Sequence, residues 1–458
     1  MKLTQFPGYV RFWIASTVSD FGTYVTSIAI SVIVVITLDG GSADVGLVSA
    51  ARWLPYLLLG LLAGVWVDRH RRKPILVAGD LGRGLILVSI SALGIAGWLT
   101  IPVLVAHMCL FGVLSVVSDA AFQSFLPQLV PRELLVRANA RLEQSNSVAQ
   151  TTGPALAGWL TQVLTAPAAL LLDAVSYFVS GAVVASVPHT AAQTPAQSTT
   201  GGVGRRIREG LEWVYRHPRL GPQAWTTHLW FFFYSVFGAV FTVYALRERD
   251  LGSLGLGVVL ACAGVGAVLG TFATTRIGDA LGAGRAIILA RSLYPAAFAI
   301  IAAAGFAPIG NWTGFAAIGF GQFLVGLGLG IEGPQEMGYR QAVTPDRLMG
   351  RMSATMRSIN RGMIVLGAPL GGLVGEAIGN RPTITIAAAG MVLVVLLLAS
   401  SDLSERTNRG SALRGRGNGI TTTRWRLRPA GCQAGRMFWF IRNRFSGSNR
   451  RLTCRRRS

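Results

Sequence analysis

Twelve long, mostly apolar stretches recur along this chain, at roughly 12–38, 44–67, 74–98, 101–126, 139–164, 167–187, 221–246, 252–276, 285–306, 311–337, 350–379 and 381–400. A hydrocarbon layer of ~30 Å is crossed by ~20 helical residues, so each stretch has spanning length. They run too long, and alternate too little, for the strands of a barrel. Helices satisfy every backbone group internally, as lipid demands. Composition agrees: 51% of residues are hydrophobic and 14% charged, against ~25% charged in an ordinary soluble domain. The first stretch is long and lacks a small-residue cleavage site, so it reads as a retained span and not a removed leader.

Basic residues set the expected orientation. With the N-terminus inside, the inner segments hold nineteen Lys and Arg residues and the outer loops three, Arg247, Arg249 and Arg381. The positive-inside bias therefore places both termini in the cytoplasm. The net charge is +22, of which +13 falls in residues 401–458, where fifteen Arg residues accompany two acids. The excess lies in loops and a tail around apolar spans, so nucleic acid is not the expected partner.

The chain divides into a bundle over 1–187, a cytoplasmic linker over 188–220, a second bundle over 221–400 and a tail over 401–458. Ile207, Leu211 and Val214 recur at helical spacing beside Arg205, Arg206, Arg208 and Glu212, which predicts an amphipathic helix, lying on the inner membrane surface or solvated. The tail reads as a disordered Arg-rich segment or as a frame-shifted extension. At an offset of 214 residues, Pro131, Leu134, Arg137, Gly153 and Gly158 fall on Pro345, Leu348, Arg351, Gly367 and Gly372. Five matches in one register point to two related six-helix bundles, with a site between them near the midplane.

Gly64-Val65-Trp66-Val67-Asp68-Arg69-His70-Arg71-Arg72-Lys73 stands between the second and third stretches. It resembles the signature G-x-x-x-D-R-x-G-R-R/K of the major facilitator superfamily, with Arg71 in place of the second Gly. Gly64 lets another helix approach closely, and Asp68 at a helix end can offset a neighbouring dipole. The resemblance implies a gating motif, Gly64, Asp68, Arg69, Arg72 and Lys73, that latches the inner side of an outward-facing state; Arg357 is the expected partner of Asp68 across the halves. Gly153-Pro154-Ala155-Leu156-Ala157-Gly158 is similar to the G-P-x-x-G-G core found in helix 5 of exporters, with Ala157 in place of one Gly. Gly153, Pro154 and Gly158 thereby imply export. Ser19-Asp20-Phe21-Gly22, Arg52-Trp53-Leu54-Pro55, Asp80-Leu81-Gly82-Arg83, Leu126-Pro127-Gln128-Leu129-Val130-Pro131 and Leu172-Asp173-Ala174-Val175-Ser176-Tyr177-Phe178 look like the group that holds macrolide-efflux and enterobactin-exporter proteins. The likeness covers about residues 8–400. Helix 4 departs from many proton-coupled drug exporters, because His107 and Met108 occupy the outer stretch where a coupling Arg often lies.

Charges inside a membrane are costly and are functional by default. Asp20 lies nine residues past Arg11, ~13 Å deep at 1.5 Å per residue, and is the first choice for a carboxylate that binds a proton or cation. Arg83 can pair with it, or with Asp80 three residues back. Asp119 and Glu332 fall one position apart under the 214-residue offset; the resemblance implies that both line the cavity, where they can form an acidic pair, and the preferred role for Asp119 is to hold Arg72 in the latch. Asp173 reads as a structural hydrogen-bonding group near a helix end.

Other chemistry is absent from the sequence. The two lysines, Lys2 and Lys73, follow no phosphate loop, and the five histidines form no H-E-x-x-H. The four cysteines make no metal-ligand spacing. No metal, no cofactor and no enzymatic activity are expected. The expectation is a monomeric, all-α, twelve-helix secondary transporter of a bacterial inner membrane, which exports a small amphipathic compound (drug, siderophore or metabolite) by proton antiport. Lysophospholipid or nutrient movement on the same fold, or a non-transporting sensor or scaffold, are the alternatives.

Overall fold

A computed structural model describes residues 3–187, 203–218 and 220–401, all of them helices and short connections. Residues 188–202 of the expected 188–220 linker, and nearly all of the tail, fall outside the described residues.

Thirteen α-helices follow in order: α1 (Pro7–Val32), α2 (Ser42–Asp68), α3 (Arg72–Ile95), α4 (Ile101–Phe125), α5 (Leu135–Leu164), α6 (Ala166–Ala185), α7 (Val203–Arg216), α8 (Leu220–Val243), α9 (Gly252–Leu281), α10 (Ala283–Ala303), α11 (Trp312–Val343), α12 (Asp346–Ile378) and α13 (Asn380–Ala399). All but α7 have 20 residues or more. Ten are, among the described residues, long and apolar enough to cross a membrane. The first half of α5 carries Arg137, Arg141, Glu143 and Asn146.

Local chemistry sets several boundaries. Pro7 opens α1, where its missing N–H has no helical partner to lose. Asn311 caps α11 by accepting from the Thr313 N–H at 3.1 Å. Gly282, with φ +81°, is the sole residue between α9 and α10. Thr165 (φ 82°) joins α5 to α6, and Gly379 (φ 96°), 214 residues on, joins α12 to α13. The internal repeat thus reaches the turn geometry. Both α1 and α8 end in a π-helical turn, Ile33–Thr37 and Tyr244–Glu248. Each turn is followed by an aspartate with positive φ, Asp39 or Asp250.

The packing repeats as well. In the first half α1 packs on α5 and α6, α2 on α4, and α3 on α4 and α6. In the second, α8 packs on α12 and α13, α9 on α11, and α10 on α11 and α13. Matching the helices in order converts one set into the other. Between halves the main contacts are α2 with α12 and α5 with α9, and the same matching exchanges them. The helix α7 carries the spaced Ile207, Leu211 and Val214 and is not solvated all round. Val214 is buried with Met352, Met356 and Ala224, and Glu209 pairs with Arg351 of α12. On its exposed side Arg208 donates to Glu212 at 2.9 Å and holds that carboxyl below its usual range.

Candidate functional site

The bundle has two unlike ends. One carries the basic connections near residues 69–73 and 340–351; the other carries the turns at Asp39, Thr165, Asp250 and Gly379. At this second end the halves meet backbone to backbone. A Cβ on Gly257 would stand 2.5 Å from the Pro154 carbonyl oxygen, and one on Gly158 would stand 2.9 Å from the Gly257 Cα. The counterpart contact sets Gly46 of α2 against the Ala368 carbonyl, and Gly372 of α12 against Ser42 and Ala43. Pro154 cannot donate to the carbonyl of Gln150, four residues earlier, and that carbonyl rests against Gly264. Small residues permit such approach.

Polar contacts tie the same end. Arg247 Nη2 donates to the Val35 carbonyl at 2.9 Å and to Asp39 Oδ1 at 2.5 Å, which joins the two π-helical turns. Ser42 donates to Asn380 Oδ1, and Asn380 Nδ2 donates to Glu248 at 2.8 Å. Glu376 accepts the Ala43 N–H at 3.1 Å, a carboxylate at the positive end of α2.

The basic end is open by comparison. A Cβ on Gly64 or Gly350 would meet nothing within 4 Å, and the nearest atom to one on Gly60 is Ser358 Oγ at 4.0 Å. A central cavity of about 600 Å³ lies between the halves, walled by Ser49, Arg52 and Trp53 of α2, Trp230 and Tyr234 of α8, Glu332 and Glu336 of α11, and Arg361 of α12. A second cavity of about 540 Å³, lined by Gly64, Asp119, Gly350 and Arg357, shares Arg361 with it and lies toward the basic end. A third, of about 200 Å³, sits inside the first half and is lined by Asp20, Asp80, Arg83 and Asp119.

One wall of the central cavity holds a buried charge cluster. Arg291 of α10, 1% exposed, donates through Nε to Glu332 at 2.7 Å and through Nη2 to Glu336 and to Thr227 Oγ1. Tyr294 donates to Glu332 Oε2 at 3.1 Å, and Thr227 to Glu336 at 3.0 Å. Arg340 pairs with the other Glu336 oxygen. Two carboxylates thus share one guanidinium, the arrangement expected when a membrane interior must hold charge. The opposite wall differs. The Arg361 guanidinium lies 3.9 Å from the Trp53 ring centroid, and Arg52 lies 5.6 Å from the centroids of Trp53 and Phe111.

Residues 12–368 match the family model described as Major Facilitator Superfamily. The chain belongs to that superfamily. As a superfamily member it is a multi-pass membrane transporter of small-molecule substrates and not an enzyme. It is 27% identical over 377 residues to the uncharacterized MFS-type transporter y4rN of Sinorhizobium fredii, spanning 81% of this chain and 90% of that one. It is 28% identical over 247 residues to macrolide efflux protein A of Streptococcus pyogenes, 52% of this chain and 58% of that one. A bacterial homologue of the iron transporter ferroportin, solved in an inward-facing state, matches the fold with TM-score 0.68 and 15% identity, covering 89% of this chain and 100% of that one.

The sequence-derived sites of this superfamily member fall in three groups. Gly153, Pro154 and Gly158 lie on the face of α5 that meets its neighbours. Gly153 abuts Tyr24 of α1, and Gly158 abuts Gly257 of α9. The residues of the expected gating motif are spread along the open end. No helix approaches Gly64 in this state. Arg69 is exposed at the C-terminus of α2. Lys73 donates to the Val187 carbonyl of its own half at 2.7 Å. Arg357 is exposed, lines the open cavity and makes no hydrogen bond or ion pair with a described residue. The Asp68 side chain lies outside the description, and Arg72 closes the short connection from α2 to α3.

The interior charges regroup. Arg83 pairs with Asp80 at 2.5 Å and stacks on Tyr177 at 4.6 Å; it does not bond Asp20. The Asp20 carboxylate accepts no hydrogen bond from a described residue and faces the small cavity. Asp119 and Glu332 do not pair with each other. Asp119 accepts from Tyr56 at 2.6 Å, while Glu332 is held by Arg291 and Tyr294. Asp173 accepts from Thr26 and Ser176 and is structural. Arg52, Arg291, Glu336 and Arg361 were not singled out by the sequence reading as interior charges. The signal was present, because each stands inside an apolar stretch as Asp20 does.

Proposed function

We propose that this chain is a secondary active exporter of a small amphipathic compound, driven by proton entry, in the inner membrane of a bacterium. Twelve spans form two pseudo-symmetric six-helix bundles, 1–187 and 221–400, joined by the segment 188–220 and followed by the tail 401–458. Both termini and the basic connections face the cytoplasm. The observation that carries this reading is the unlike state of the two ends: backbone-tight contacts close one end, while the central cavity continues past Arg361 toward the other. That is the cytoplasm-facing half of an alternating-access cycle.

The opposite state would bring Gly64, Asp68, Arg69, Arg72 and Lys73 against α12, with Arg357 facing Asp68, and would part Gly158 from Gly257. Glu332 and Glu336 sit on the cavity wall around one guanidinium, so a proton that neutralises either releases Arg291 to rearrange. Asp20, without a partner in its own small cavity, is the second acidic site. Uptake into inverted membrane vesicles tests the proposal. Accumulation that an uncoupler abolishes supports export; accumulation unaffected by uncoupler removes the proton coupling, and binding without flux removes transport.

A further inference from the structure

We infer that the central cavity selects an amphipathic organic anion, with an aromatic or apolar body and a carboxylate or similar oxyanion. The inference rests on the reading of this cavity as the transport site. It starts from an imbalance of partners. The acids around the cavity are engaged: Glu332 by Arg291 and Tyr294, Glu336 by Arg291, Thr227 and Arg340, and Asp119 by Tyr56. Arg52 and Arg361 line the cavity and make no hydrogen bond or ion pair with any described residue. Counting the engaged neighbours, the four arginines Arg52, Arg291, Arg340 and Arg361 stand against three acids, and the two that line the cavity, Arg52 and Arg361, are the two with no acceptor among the described residues.

A guanidinium kept from bulk water needs an opposing charge or a π-face. Arg361 has the Trp53 face at 3.9 Å and Arg52 has Trp53 and Phe111 at 5.6 Å. Aromatic faces orient both cations without neutralising them, so their N–H groups remain available. A planar oxyanion matches the guanidinium fork and can accept two parallel bonds from it. Trp230 on the facing wall is buried, and its indole N–H has no acceptor among the described residues. Trp230 and Tyr234 stack at 4.7 Å between ring centroids with an interplanar angle of 13°, which offers a flat apolar wall for the body of the ligand. A volume of about 600 Å³ suits a drug-sized molecule. A cationic amphipath would instead face two unneutralised arginines.

Binding of three matched probes to the purified full chain in nanodiscs tests this: 1-naphthoate, the neutral 1-naphthamide and the cationic 1-naphthylmethylamine, followed by calorimetry. The carboxylate is expected to bind at least about tenfold tighter than the other two, the usual effect of a charge-assisted hydrogen bond. Arg361→Gln and Arg52→Gln should each lose most of that preference, because affinity for the carboxylate falls much further than affinity for the neutral amide. Arg361→Lys, which keeps the charge but not the fork, should retain part of it. Arg381 stacks on Phe306 outside the cavity, and Arg381→Gln should behave as the parent. Equal affinities, a preference for the amine, or binding of none of the three overturns the anion site. Vesicle flux separates the two readings: naphthoate bound with this preference but never accumulated sinks transport and leaves the site, whereas uncoupler-sensitive accumulation of the amine alone does the reverse.

Discussion

Gly158 and Gly257 cross so closely that a Cβ on the first would stand 2.9 Å from the Cα of the second. Neither helix has a side chain there to yield. Gly158→Val should therefore part α5 from α9 and bias the chain toward the state open at that end, since overpacking costs ~1–3 kcal/mol. A cysteine placed at Ser49, on the cavity wall, reports this. In the Gly158→Val background it should react faster with an impermeant thiol reagent added from outside the cell. Unchanged labelling would show that the contact is no gate.

Arg247→Ala should do far less. Its partner Asp39 is 95% exposed at the side chain, and such pairs contribute ~0–1 kcal/mol. The same labelling assay should change by no more than about fivefold. A larger effect would mean that the bond to the Val35 carbonyl governs closure.

The buried cluster predicts a steep response. Arg291→Met leaves Glu332 and Glu336 facing each other without their shared cation, and breaking a buried ion pair costs ~3–5 kcal/mol. The thermal midpoint of the solubilised protein should fall sharply. Arg291→Met with Glu332→Gln should recover part of it, because one stranded charge is gone. Equal midpoints for the two variants would assign the loss to packing.

Asp20 and Asp173 should respond in opposite ways to the same change. Asp173 is 1% exposed and accepts from Thr26 and Ser176, so Asp173→Asn trades an acceptor for a donor and should lower the midpoint, by ~1–3 kcal/mol. Asp20→Asn removes a carboxylate that no described residue satisfies. Stability should hold or rise, while uncoupler-sensitive flux is lost. Full flux in Asp20→Asn would move coupling wholly to Glu332 and Glu336.

Thr165 holds φ 82° and ψ 153° at the turn where its repeat counterpart is Gly379. That region is almost confined to glycine and costs a side chain ~1–3 kcal/mol. Thr165→Gly should raise the thermal midpoint by the equivalent of ~1 kcal/mol, after the greater freedom of glycine in the unfolded chain is set against the relief. A lower midpoint would show that the Thr165 side chain has a contact worth more than the strain.

Much of this architecture is legible in residue order. The apolar stretches give the long helices, and the 214-residue repeat anticipates the exchange of packing partners and the paired turns at Thr165 and Gly379. The charges are less legible, because a sequence shows which of them lie within apolar stretches but not which meet. Asp119 and Glu332 fall one position apart in the repeat, yet Tyr56 reaches one and Arg291 the other. Arg52 and Arg361 are the plainest lesson. A cation inside a helix announces a cost, and only the fold reveals that Trp53 lies beneath both. Which end is open has no sequence signature at all, since Gly64 and Gly158 both read as helix-packing glycines, yet a Cβ on the first would meet nothing within 4 Å and one on the second would meet Gly257.

The closed end is built from carbonyl oxygens resting on glycines, Pro154 on Gly257 and Ala368 on Gly46. None of these four residues lines the central cavity. Descendants of this gene are therefore at liberty to change what they carry by altering a handful of wall residues, while inheriting the door unchanged.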